Sequence, residues 1–228
     1  MRILMSETTW HSATIATDLA RAGFLLTRAD TGAETLVYAT DGAQSAILID
    51  HDLPDMPAHH LLRRLRYLHP RMPLFVLVPA KMDWPERKIL FEHGADDLIP
   101  AALPAVELVA RLRAAIRRAG GFAAPVLGLG ALQIDTGDQS VTIHGRPLPL
   151  TRKEYEILEM LALAHDRMIS RDALMNQLYA LSDEPGARIL NVYLSRIRAA
   201  ISAAGGDPRM VETIRGAGYL LRTIPEAA

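Results

Sequence analysis

Short runs of consecutive apolar residues constrain this chain most. Ile3-Leu4-Met5, Ala46 to Ile49, Leu74 to Val78 and Leu98-Ile99 do not alternate with polar residues, and the second and third of them end against Asp50 and Pro79 respectively. A strand with one wet face alternates, so these runs predict strands covered on both faces. Between them lie helical patterns at Ser12 to Ala22, Glu34 to Ala39, His59 to Leu68, Pro85 to His93 and Pro104 to Arg118, with a weaker strand at Phe24 to Thr27. Gly23, Asp41-Gly42, Pro70 and Gly94 supply the stops, and Pro104 sits at a helix start. Strands that alternate with helices predict an α/β, doubly wound parallel sheet. In such a sheet a site lies beyond the carboxyl ends of the strands, where strand order switches. Glu7, Asp50 and residues 79 and 101 fall at those ends.

After Arg118 the pattern changes. Gly120-Gly121-Phe122-Ala123-Ala124-Pro125 reads as a short linker. This divides the chain into a first domain at 1–118, a linker at 119–126 and a second domain at 127–228. Leu127 to Leu150 has strand-like pieces around turns at Asp135 to Asp138 and His144 to Arg146. Thr151 with Glu154 forms a capping box, which starts an amphipathic helix with Tyr155, Leu158, Leu161 and Ala162 facing a core. Ser170 caps a helix at Arg171 to Leu178, and Leu181 to Pro185 reads as a loop.

The next helix, Ala187 to Ile201, puts Leu190, Leu194, Ile197 and Ile201 on one stripe. Its other face carries Arg188, Asn191, Val192, Ser195, Arg196 and Ala199. Arginines suit phosphates and guanine edges, Asn and Ser suit polar edges, and a small apolar side chain suits a thymine methyl. Met210 to Arg222 then reads as a hairpin with Arg215-Gly216-Ala217-Gly218 at its tip. A helix with an arginine-bearing face followed by an arginine-tipped hairpin is the layout of an α+β winged helix-turn-helix.

The formal net charge of −1 argues against bulk attraction to nucleic acid. From Arg188 to Arg222, however, six arginines stand against Asp207 and Glu212, so positive charge is local to the proposed face. The chain has no cysteine, which excludes disulfides, thiol nucleophiles and Cys-type zinc sites. His51, His59, His60, His69 and His93 show no metal-ligand spacing. No stretch reaches the ~18 apolar residues of a membrane span, and the N-terminus lacks a secretory pattern, so a cytoplasmic protein with no membrane partner is expected. An enzyme is not expected. The clustered acids are Glu7, Asp50 and Asp52, and neither a phosphate-cradling glycine loop nor a nucleophile–base pair is present.

Thr151 to Leu161, Ile169 to Leu174, Asn191 to Arg198 and Val211 to Tyr219 resemble the winged-helix effector domain of the OmpR/PhoB-type response regulators, over Leu127 to Arg222. Arg2-Ile3-Leu4, Asp50 to Asp55 and His93 to Ile99 resemble the flavodoxin-like receiver domain of the same family, over Met1 to about Arg118. Tyr179 to Pro185 looks most like the alphaproteobacterial cell-cycle regulators of that family. The resemblance implies a sequence-specific regulator of transcription that binds double-stranded DNA as a homodimer. Val192 and Arg196 match base-contacting positions, with Asn191 and Tyr193 beside them. Tyr193 would lie on a phosphate or sugar, and Arg188, Ser195 and Arg198 on phosphates. Arg215 would enter the minor groove, with Thr213 on the backbone. Tyr193 and Ser195 depart from the commoner His and Arg. The loop at Leu181 to Pro185 matches the segment that touches RNA polymerase. Arg87, Asp96, Asp97, Glu107 and Arg111 match the charged dimer face, from which Ile89 removes one basic residue.

In the first domain Asp50 matches the phosphoacceptor for a histidine kinase, and Glu7 matches the first Mg²⁺ acid. The rest of that set is missing. Thr8 replaces the second metal acid, Pro79 the Thr/Ser, Ala101 the Lys, Leu98 the aromatic switch residue and Ala58 a glycine. Glu7 and Asp50 would hold Mg²⁺ only weakly, and no cofactor is required. A phosphoryl group adds about −1.5 to −2 charge with no cation to meet it. Charge-assisted hydrogen bonds contribute ~1.5–3 kcal/mol each, so the losses remove on the order of 3–5 kcal/mol. A full two-state switch needs roughly 5.5 kcal/mol. Phosphorylation-independent regulation is therefore expected. The alternatives are ordinary phosphorylation at Asp50 and a receiver that acts as a protein-interaction adaptor.

Overall fold

A computed structural model describes residues 1–40, 44–179 and 188–223. The chain divides into two compact units, Met1–Ala119 and Gly120–Ala228.

In the first unit, β1 (Arg2–Ser6), β2 (Leu25–Ala29), β3 (Ala46–Asp50), β4 (Leu74–Val78) and β5 (Asp97–Pro100) form one sheet. Its order is β2-β1-β3-β4-β5, and every pairing is parallel. Every residue of β1, β3 and β4 is buried, as non-alternating runs require. The connecting helices are α1 (Trp10–Arg21), α2 (Gly32–Ala39), α3 (Ala58–Leu68), α4 (Trp84–Glu92) and α5 (Ala105–Ala119). The chain runs from β1 outward to β2 and then crosses to β3 on the other side. The ends of β1 and β3 therefore flank the switch in strand order, with Ser6 and Asp50 at that crevice.

Four helices start earlier than the apolar spacing predicts, three of them at a side-chain cap. Thr9 accepts the Ser12 N–H, and the Ser12 hydroxyl accepts the Thr9 N–H, so α1 begins at Trp10. Thr31 caps α2, and the Asp55 carboxylate takes the N–H groups of Gly32 and Ala33 at 2.8 and 2.9 Å. The carboxylate thus satisfies the open turn from a distant loop; burial pushes the Asp55 carboxyl up, but the backbone N–H bonds together outweigh it and hold it below the usual carboxylate range. Asp83 caps α4. The expected stop at Asp41-Gly42 lies outside the described residues.

In the second unit, β6 (Val126–Leu129), β7 (Leu132–Asp135), β8 (Ser140–Ile143) and β9 (Arg146–Pro147) form an antiparallel meander. Then come α6 (Arg152–Leu163), β10 (Ile169–Ser170), α7 (Arg171–Leu178) and α8 (Ile189–Ala203). A 3₁₀ turn at Pro208–Met210 leads into β11 (Val211–Ile214) and β12 (Gly218–Leu221). Strand β10 joins this hairpin in a three-stranded antiparallel sheet of order β10-β12-β11. Gly218 is required there, because a Cβ would lie 2.1 Å from the Ile169 carbonyl oxygen.

Helix α6 departs from the amphipathic expectation. Beyond Tyr155, Leu158, Leu161 and Ala162 it also buries Glu154, Ile157, Glu159 and Met160. The reason is position: α7, α8, β6 and β12 all pack on it. Leu190, Leu194, Ile197 and Ile201 of α8 are fully buried in the same core, as their spacing predicts. Among the described residues no helix is long and apolar enough to cross a membrane.

Candidate functional site

At the strand ends of the first unit, Asp50 is 5% exposed. Its Oδ2 accepts a hydrogen bond from the Thr9 hydroxyl at 2.7 Å, and its Oδ1 a longer one from the Asp52 N–H at 3.4 Å. Its own N–H donates to Ser6 Oγ at 2.6 Å. Thr8 turns elsewhere and donates to the Asp52 carbonyl at 2.8 Å. Glu7 forms an ion pair with Arg28 of β2 at 3.1 Å. The two acids matched to a metal are thus occupied by a hydroxyl and a guanidinium. Among the described residues, no group of three or more His, Asp or Glu side chains could hold a metal ion. Pro79 is exposed, Ala101 donates its N–H to Val78 O at 3.0 Å, and Leu98 lies in the core. Thr9 is the residue that sequence reasoning missed. The neighbouring Thr8 drew attention as the departed acid, and only the fold shows which hydroxyl reaches Asp50.

On α4, β5 and α5 the five charged residues divide. Arg111 binds Asp97 at 2.7 Å and Glu107 at 2.6 Å within the chain, and both bonds raise its pKa, Asp97 more. Asp96 has a structural post. Its Oδ2 accepts from Arg66 Nη2 at 2.8 Å and from the Leu74 N–H at 2.7 Å, while Arg66 also donates to the Pro70, Met72 and Gly94 carbonyls. Arg87 is half-buried. Ile89 and Val106 are exposed large apolar residues of the same helices.

In the second unit, α8 presents Arg188, Asn191, Val192, Ser195 and Arg196 as exposed residues, with Val192 43% exposed. The Arg188, Val192, Ser195 and Ala199 spacing puts those residues along one stripe opposite the buried one. Other predicted contact residues are joints of the fold. The Tyr193 hydroxyl meets that of Tyr179, the residue capping α7, at 3.0 Å. Burial, followed by that hydrogen bond, pushes the Tyr179 phenol up to about 12, and the Lys153 ammonium lies 5.0 Å from its ring centre. Arg198 donates to the Val211 carbonyl at 2.8 Å and to Thr213 Oγ1 at 2.7 Å, tying α8 to the hairpin. Asn191 Oδ1 accepts from the Tyr219 hydroxyl at 3.2 Å.

Arg215 stands exposed at the hairpin turn, where Gly216 adopts φ +75° and Ala217 N–H closes onto Ile214 O. Arg209 is bound by Asp207 at 2.6 Å and Arg222 by Glu212. Of the six arginines counted in sequence, Arg188, Arg198 and Arg215 have no ion pair among the described residues. Arg196 has a loose one, 3.9 Å from Glu154. Arg209 and Arg222 are neutralised by Asp207 and Glu212, so local positive charge is carried by four side chains, Arg188, Arg196, Arg198 and Arg215. The predicted polymerase-contacting loop, Leu181 to Pro185, lies outside the described residues.

Residues 145–221 match the family described as "Transcriptional regulatory protein, C terminal". Over 223 residues the chain is 31% identical to the cell cycle transcriptional regulator CtrA of Caulobacter vibrioides, covering 97% of this chain and 96% of that one. It is 32% identical over 224 residues to the cell cycle response regulator CtrA of Brucella ovis, again covering 97% and 96%. The crystal structure of DrrB, an OmpR/PhoB homolog of Thermotoga maritima, is similar at 25% identity and a TM-score of 0.44, covering 97% of this chain and 98% of that one. These relatives are transcriptional regulators rather than enzymes. Matched from end to end by such relatives, a parallel receiver followed by a winged helix defines a two-component response regulator with a DNA-binding transcription regulator domain. The chain belongs to the OmpR/PhoB family of response regulators.

Proposed function

We propose that this response regulator controls transcription without phosphorylation and binds its DNA sites as a dimer. One observation supports the first half: one of the two oxygens of the nearly buried Asp50 carboxylate already accepts the Thr9 hydroxyl at 2.7 Å. A phosphoryl group there would displace that bond, which contributes ~1.5–3 kcal/mol. It would also place its charge in a nearly buried pocket where residues 79 and 101 offer Pro and Ala. Glu7, committed to Arg28, is poorly free to help a Mg²⁺ ion.

In the DNA complex Val192 and Arg196 read base edges in the major groove, with Asn191 beside them. Arg188 and Ser195 hold phosphates, and Arg215 reaches the minor groove with Thr213 on the backbone. Tyr193 and Arg198 act chiefly by holding α8 in place. The dimer pairs through α4, β5 and α5, where Arg111, Asp97 and Glu107 form a preassembled charge cluster beside the exposed Ile89 and Val106.

The test combines acetyl phosphate and Mg²⁺ with the full-length protein. Intact mass spectrometry is expected to show no lasting acyl phosphate, and affinity for a selected duplex is expected to change less than about twofold. A stable adduct at Asp50 with tenfold tighter binding would overturn the reading. Sedimentation of the protein with a two-half-site duplex tests the dimer, expected at two chains per duplex.

A further inference from the structure

Glu154 has chemistry that a capping role leaves half unexplained. It is 4% exposed, on a helix packed on nearly every side. Its Oε2 accepts the Thr151 N–H at 2.8 Å and completes the cap of α6. Its Oε1 is buried and has no hydrogen-bond partner among the described residues. A buried ionised oxygen without a partner is costly. The cation that faces it is Arg196 Nη1, 3.9 Å away on α8. That separation allows an ion pair but is too long for a hydrogen bond. The Arg196 side chain stays 64% exposed, so it is met from the inside and open on the outside.

We infer that Glu154 is a positioning residue that holds the inner edge of the Arg196 guanidinium, so that the outer edge meets a base already oriented. This rests on the reading of Arg196 as a base contact. A guanidinium carries five donors in a planar fork, and a bidentate bond to guanine uses two of them. A carboxylate behind the fork narrows its rotamers before DNA arrives and reduces the ordering cost of binding. When the duplex excludes water, the pair strengthens as the local dielectric falls. Phosphate contacts tolerate a loosely held cation; a bidentate base contact does not. The effect of Glu154 therefore falls on discrimination between sequences rather than on general affinity.

The experiment selects a site for the full-length protein from a random duplex library. It then measures affinity for that duplex and for single-base variants of it. Wild type, Glu154→Gln, Arg196→Ala and the double variant are compared. Gln serves a capping box as Glu does, so the helix start is retained while the charge facing Arg196 is lost. Glu154→Gln is expected to lower discrimination at the Arg196 base about three- to tenfold and leave non-specific affinity within about twofold. The double variant should discriminate no worse than Arg196→Ala alone, since the two act through one contact.

Full discrimination in Glu154→Gln at a position where Arg196→Ala loses it overturns the inference and leaves the DNA reading intact. Arg196→Ala that alters no base position removes both. Discrimination is a ratio of two affinities on one sample, so an inactive fraction cancels. A second measurement needs no change at Glu154. In the free wild-type protein the Arg196 Nε–H signal, assigned by its loss in Arg196→Lys, should be more restricted by NMR relaxation than those of Arg188 and Arg215. Equal mobility of all three overturns the inference.

Discussion

The strand-end crevice of the first unit and the helix face of the second are both rows of polar side chains on a buried scaffold, yet they point opposite ways. In the crevice every functional group has found an internal partner: Asp50 the Thr9 hydroxyl, Glu7 the Arg28 guanidinium, Thr8 the Asp52 carbonyl. Along α8 and its N-cap, Arg188, Val192, Ser195 and Arg196 are exposed and without strong partners among the described residues. A polar group that is satisfied within the fold gains little from a new ligand, because binding must first replace an existing bond. One that faces water with its scaffold fixed behind it binds at small ordering cost. The contrast is what supports the proposal that the α8 face reads DNA while Asp50 is not used as a phosphorylation site.

The largest effect that would break this comparison lies beneath α8. Leu194→Ala removes a fully buried side chain and should cost about 2–5 kcal/mol of stability in thermal or urea denaturation. Val192→Ala, two residues earlier on the exposed face, should stay within about 0.5 kcal/mol of wild type yet weaken binding at a thymine-bearing position. Equal losses of stability would mean that α8 has no free face. Next in size is Arg196→Ala, expected to cost about 1–3 kcal/mol at one base position in the selected site, with the other positions unchanged. An identical binding-site logo would reject Arg196 as a base contact. Smaller again is Arg188→Ala. It should weaken all duplexes about evenly and reduce the slope of log affinity against log salt by about one.

Much of this arrangement was legible in sequence, and the parts that were not share a cause. The runs at β1, β3 and β4 are apolar without interruption, so burial on both faces followed from residue type alone. The stripe of Leu190, Leu194, Ile197 and Ile201 repeats at helical spacing, and its burial followed likewise. The burial of Glu154 and Glu159 could not be read from sequence, since acids on a helix ordinarily mark a wet face. Only the packing of α7, α8, β6 and β12 around α6 buries them. Thr9 and Asp55 act on residues far away in sequence, Asp50 in one case and the start of α2 in the other. The partners of the arginines in the second unit were hidden for the same reason. Arg198, Arg209 and Arg222 look free in a list of residues, but each is held by a neighbour that the fold supplies.

Tyr193 gives the subtlest test, because it sits on α8 yet belongs with the inward-facing groups. Its hydroxyl meets Tyr179, whose phenol is pushed up to about 12 by burial first and by this bond second. A phenol with a raised pKa in the fold is kept neutral there. Its contribution to stability is fully present below pH ~10, the ordinary phenol value, and is lost as pH rises from there through about 12. Ultraviolet titration of tyrosinate should therefore show late-titrating phenol. Tyr38, raised by its hydrogen bond to Glu34, also titrates late, so the informative quantity is the difference between variants. In Tyr193→Phe the Tyr179 phase should move down while that of Tyr38 stays, and stability should fall off less steeply above pH ~10. Non-specific DNA affinity should change little. If the late phase is unmoved and DNA binding drops instead, the Tyr193 hydroxyl belongs to the outward face, and the boundary drawn across α8 shifts by one residue.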